Sequence, residues 1–61
     1  MNAIVTLGYV MIETQEKDCD GMARTIDFPR VGNRLYGTPR YHWTVARYVR
    51  EARRIARQAL K

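Results

Sequence analysis

TPRYHWTVARYVREARRIARQALK, Thr38 to Lys61, holds the most regular pattern in the chain. Its opening Thr-Pro pair has the form of a helix start. A threonine hydroxyl can accept from an orphan amide, and proline at the first helical position lacks an N–H that no carbonyl would have received. Behind this pair, Tyr41, Val45, Tyr48, Val49, Ala52, Ile55, Ala56, Ala59 and Leu60 recur at three- and four-residue spacing. At 100° per residue they form one continuous apolar stripe, which predicts an amphipathic helix over about residues 39–60. Opposite the stripe lie Arg47, Arg50, Arg54, Arg57 and Lys61, with Arg40 on the approach. Trp43 falls in the middle of this basic face if the helix is regular from Pro39 onward. A tryptophan exposed among arginines is a common composition for a binding hot spot. The competing reading folds Trp43 back over the sheet as a lid on the core.

Upstream of the helix, short apolar runs alternate with turn residues. Val5, Leu7, Tyr9 and Met11 alternate with Thr6 and Gly8, the two-residue period of a strand with one better-buried face, and this places a first strand at about residues 3–12. Gly8 within it marks a bulge or a close approach by another backbone. The polar run Glu13 to Gly21 ends in Asp-Gly, a turn signal because glycine accepts positive φ. Met22, Ile26 and Phe28 alternate with Ala23, Thr25 and Asp27 and predict a second strand over about 22–28, closed by Pro29, which has no amide for a ladder. Gly32-Asn33 offers a second tight turn before a short third strand at about 34–36. The expected fold is therefore a single α+β domain over residues 1–61. A short antiparallel sheet of two or three strands packs on one long C-terminal helix, in the order β-β-β-α.

The charge is unevenly placed. Residues 1–29 carry two basic side chains against five acidic ones, a balance of −3, whereas residues 30–61 carry nine against Glu51 alone, a balance of +8. Such asymmetry points to a polyanion or an acidic protein surface met by the C-terminal half. The arginine and alanine preference of GC-rich genomes offers a neutral account of the same bias. A chain of this length sits near the lower limit for an unassisted core, and the single Cys19 permits no internal disulfide, so association with a partner is the route left to added stability. One cysteine also fits a reducing compartment, and the expected location is the cytoplasm. The apolar run Ala3 to Ile12 is about half the length of a bilayer-spanning helix, and no basic residues precede it. No transmembrane segment is expected. A basic amphipathic helix resting on an anionic membrane surface is a minor reading.

The sequence carries no catalytic constellation. Asp18, Cys19 and Asp20 with His42 match no zinc spacing, and carboxylates beside one thiol suit no single metal well. Cys19 and His42 lack a third group to orient the imidazole and a glycine-rich oxyanion loop. Gly8, Gly21, Gly32 and Gly37 are too far apart for a phosphate-binding loop. A non-enzyme without metal or cofactor is expected.

Strands followed by one amphipathic helix is an order that resembles several small DNA readers, among them the arm-binding domains of phage integrases, in arrangement only. Those domains read the major groove from the open face of the sheet. The matching positions here, Thr6, Gly8, Ala23, Thr25 and Asp27, are neutral or acidic, so none of that family's binding residues is carried over. Three functional readings follow from the residues. The first is a non-catalytic binder of nucleic acid or of a nucleoprotein complex, working through Arg40, Trp43, Arg47, Arg50, Arg54, Arg57 and Lys61. The second is a small accessory or inhibitor protein of phage type, docking the same face on an acidic surface of a host protein or defence complex, as an anti-CRISPR protein would. The third is a structural subunit whose apolar stripe pairs with a second copy in a homodimer.

Overall fold

The computed structural model describes all 61 residues. Five strands, β1 (Asn2–Val5), β2 (Tyr9–Lys17), β3 (Ala23–Val31), β4 (Arg34–Leu35) and β5 (Arg40–Tyr41), precede a 3-10 helix over Trp43–Tyr48 that runs directly into α1, Val49–Ala59. Every pairing is antiparallel. β1, β2 and β3 are neighbours in that order, and the far edge of β3 carries β4 and β5 at different points along its length. The class is α+β, with a larger sheet than the two or three strands expected. No helix is long and apolar enough to cross a membrane.

The segment expected to form one strand over 3–12 is a hairpin. Thr6 reverses the chain: its amide and its hydroxyl both donate to the Tyr9 carbonyl, at 2.9 and 2.8 Å, and its Oγ1 accepts from the Tyr9 amide at 3.3 Å. A Cβ on Gly8 would meet nothing within 4 Å, so no backbone crowds that glycine. The reversal also inverts the predicted faces. Val10 and Ile12 are fully buried, while Leu7 stands 95 % exposed at the tip of the turn. A two-residue period says which side chains share a face but not which face meets the core.

β2 continues through polar residues because β3 lies beside it. Asp18 closes the connection by accepting from the amides of Asp20 and Met22, both at 2.9 Å, and Gly21 adopts φ 81°. The Asp-Gly turn is thus where the sequence places it, but it is tighter, and Glu13 to Lys17 join the sheet. Thr14 is buried there with its hydroxyl donating to the Arg24 carbonyl at 2.7 Å, which satisfies the one polar group the core admits. Met22 lies in the turn and is exposed, outside the strand expected to contain it. Nor does β3 stop at Pro29. The Arg30 amide donates to the Gly8 carbonyl at 3.1 Å, so its neighbour Pro29 faces the other edge, where its carbonyl accepts from Tyr36 at 3.0 Å. The β2–β3 ladder therefore loses no donor. Gly32, at φ 58°, makes the expected turn into β4, which ends at Leu35.

The predicted helix start at Thr38-Pro39 is also corrected. Arg40 and Tyr41 pair with Asp27 and Ile26 as β5, and the helix begins at Trp43. His42 is its cap, with Nδ1 accepting from the Thr44 amide at 3.2 Å. Proline suits an extended segment as well as a first helical turn, so sheet pairing settles where residues 39–41 go. The core joins Val10, Ile12, Ile26 and Phe28 of the sheet to Val45, Ala52, Ala56 and Leu60. Two alanines at the centre of the contact let the α1 backbone come close to the strands. Tyr48, Val49 and Ile55 flank this seam, whereas Tyr41 and Ala59 drop out of the predicted stripe and are exposed. The chain's own sheet covers the stripe, so a homodimer through it would have to open the core.

Candidate functional site

α1 turns its arginines outward because Ala52 and Ala56 turn inward. Arg50, Arg54, Arg57 and Lys61 are exposed, and with Glu51, Arg53 and Gln58 they line a shallow, open depression of about 750 Å³ that contains no apolar side chain. None of these cations has an ion-pair partner, since the molecule's one salt bridge joins Arg47 to Glu16. Arg50–Arg53, Arg50–Arg54, Arg53–Arg57, Arg54–Arg57 and Arg57–Lys61 are like-charge neighbours at spacing three or four. Each such pair destabilises a helix by about 0.2–0.5 kcal/mol. Four of them lie within α1, since Lys61 follows its end at Ala59, and they oppose folding by roughly 1–2 kcal/mol, partly offset by the Glu51–Arg54 pair at spacing three. An anion laid along this face relieves that repulsion.

Arg47 does not belong to the free set. Its guanidinium donates to Glu16 Oε1 at 2.5 Å and to the Tyr48 hydroxyl at 3.0 Å. The Tyr48 hydroxyl first, and the Glu16 charge after it, hold the Arg47 pKa above its usual value. An exposed pair of this kind adds little stability. Its consequence is electrostatic: one predicted contact residue is already neutralised by a carboxylate from β2.

Trp43 is 78 % exposed and is no lid on the core. It does not stand on the arginine row either. A 3-10 helix advances about 120° per residue against 100° in an α-helix, so the five steps from Trp43 to Tyr48 rotate the indole by about 100° from the direction regular helix would give it. Its neighbour His42 lies with ring centroid 5.5 Å away at an interplanar angle of 31°. His42 is in turn held by the Thr44 amide and by the Thr44 hydroxyl at 2.7 Å.

Arg40 lies elsewhere. Its partner across the sheet is Asp27, one residue along from the buried Ile26, which pairs with Tyr41, so it stands on the sheet face turned away from the helix. The Asp27 Oδ1 atom beside it is buried and accepts no hydrogen bond. Arg30 is committed to the fold, donating to the Thr6 carbonyl at 2.8 Å and to the Gly32 carbonyl at 2.5 Å.

Of the seven candidate residues, then, Arg50, Arg54, Arg57 and Lys61 form one surface, Trp43 stands to its side at the N-terminal end, and Arg47 and Arg40 are drawn away. Arg53 was missed. It is half-buried, lines the same depression, and places its guanidinium 5.7 Å from the Phe28 ring centroid. Its position at the border of the stripe was the available signal. No group of three or more His, Cys, Asp or Glu side chains is placed to hold a metal ion, and Cys19 is exposed in the β2–β3 turn. Comparison with known proteins gives no match: no family model, no curated protein and no solved structure is significantly similar to this chain.

Proposed function

We propose that this protein is a small non-catalytic binder of nucleic acid, or of the nucleic-acid part of a nucleoprotein complex, and that the outer face of α1 makes the contact. The observation that carries the reading is the set of unpaired cations, Arg50, Arg53, Arg54, Arg57 and Lys61, on one side of a helix whose other side is buried. Unpaired like charges at this density reduce stability when the protein is alone and favour a ligand with closely spaced negative charges. Phosphates repeat every 3.4 Å along a strand, and the 11 residues of α1 span about 16 Å. Contacts of this kind position a protein on the backbone without reading sequence.

A salt series tests the reading. Four phosphate contacts, by Arg50, Arg54, Arg57 and Lys61, predict that log affinity falls against log salt with a slope of roughly −2.8 to −3.6. That is about a 50- to 150-fold loss between about 50 and 200 mM. Arg54→Ala should flatten the slope by about one contact and weaken all sequences alike. Absence of binding at low salt by the unmodified chain would refute the proposal.

A second reading draws on a different observation. Tyr41 and Trp43 are both exposed, two residues apart at the approach to the helix, and aromatic side chains in such a place suit docking on an acidic protein, the mode of a phage-type inhibitor. In that case Trp43→Ala should weaken binding more than any single arginine change.

A further inference from the structure

We infer that the nucleic acid taken by this surface is single-stranded, with a base stacked on Trp43 and the backbone crossing the Arg50–Lys61 face. The inference rests on the reading proposed above and adds the substrate class. Three observations carry it. The indole is 78 % exposed, although burying a ring of that size is worth several times the free energy of a hydrogen bond. It also has an aromatic neighbour: His42, whose Nδ1 contacts the Thr44 amide and hydroxyl, lies beside it with ring centroids 5.5 Å apart. A base added to this pair extends an aromatic cluster that the chain already begins. Finally, 3-10 geometry over Trp43–Tyr48 sets the ring about 80° around the axis from Arg50, and about 13 Å along it.

That displacement discriminates between the two forms of nucleic acid. A duplex is a stiff rod whose bases are stacked internally. Laid along the arginines, it meets their charge but offers the indole no ring. A single strand bends freely, so its backbone can follow the cations and leave them at the Trp43 end, where an unstacked base reaches the ring. Charge complementarity supplies affinity at one end and stacking supplies it at the other, the combination found in sequence-tolerant single-strand binders. An acidic protein surface would also meet the cations, and the experiment separates that case.

The test compares a labelled oligothymidylate of roughly 15 nucleotides with an A·T duplex of the same length, by fluorescence anisotropy and by emission of the chain's one tryptophan. The intact protein should bind the single strand more tightly than the duplex and lose indole emission on doing so. Trp43→Ala should lower single-strand affinity roughly 5- to 150-fold and leave duplex affinity unchanged, while Trp43→Phe should retain most of it. Because Trp43 lies outside the core, both variants should fold, which circular dichroism checks. Equal affinity for both probes, an unchanged emission, or a Trp43→Ala loss of the same size on both would overturn the single-strand inference and leave the phosphate-binding reading standing. Failure to bind either probe at low salt would overturn both together and leave the acidic-protein reading.

Discussion

Asp27 carries a buried oxygen for which the fold supplies no donor. Its Oδ1 atom is sealed within the sheet between Met11 and Arg40, its neighbours in register, and accepts no hydrogen bond. A buried oxygen without a donor costs about 1–3 kcal/mol, more when it is charged. Threonine at this position keeps a side chain suited to a strand and removes the carboxylate. Asp27→Thr is therefore expected to raise unfolding free energy by about 1 kcal/mol, read from the urea midpoint at unchanged slope. A lower midpoint would show that Asp27 is paired with Arg40 in solution. His42 is the opposite case, since both of its Nδ1 contacts are used, one to cap the helix and one to fix the ring beside Trp43.

The helix has two faces with opposite demands, and substitutions on them should have opposite effects. Ala52 and Ala56 are fully buried against the strands, so added volume there must push α1 off the sheet. Ala52→Leu is expected to destabilise by about 1–3 kcal/mol. On the other face, Arg54→Ala removes like-charge contacts with Arg50 and Arg57 and introduces the best helix former. At low salt it should leave the urea midpoint unchanged or raise it slightly. If Arg54→Ala destabilised as much as Ala52→Leu, the assignment of the two faces would be wrong. The same comparison separates binding from folding, since Arg54→Ala is the variant expected to lose phosphate affinity.

At the scale of the whole molecule, only nine of 61 residues are buried, which leaves a thin margin against chain entropy. The nine-residue strands β2 and β3 extend about 30 Å and account for most of the 34 Å long axis. Little of the chain lies far from solvent. A ligand that binds only the folded state then has a large relative effect. At a concentration about 100 times its Kd, an oligonucleotide on the α1 face should add about 2.7 kcal/mol. For a domain of this size that is a rise in Tm of roughly 10–20 °C. Differential scanning fluorimetry with and without the oligonucleotide measures it, and an unchanged Tm at saturation would contradict binding to the folded chain. High salt should erase the ligand's effect as it weakens the phosphate contacts.

Local chemistry was enough for the α+β class, for the turns at Asp20-Gly21 and Gly32-Asn33, and for the cationic row at Arg50, Arg54, Arg57 and Lys61. Each depends on residues within a few positions of one another: a glycine that accepts positive φ, or side chains that a helix repeats every three or four places. The other features rest on contacts between distant segments. Thr6 could have stayed extended, and it reverses the chain because Val10 and Ile12, beyond the turn, fill the core. Thr38-Pro39 could have begun a helix, and it does not because the exposed edge of β3 takes Arg40 and Tyr41 into the sheet, leaving His42 to cap the helix. Arg47 reads as a member of the basic face until Glu16, 31 residues earlier, is brought beside it. Trp43 also stands apart from that face: Arg40 and Tyr41 pair in β5, the helix starts at Trp43 instead of Pro39, and about 20° per residue over five 3-10 steps turns the indole away from the direction a regular helix would give it.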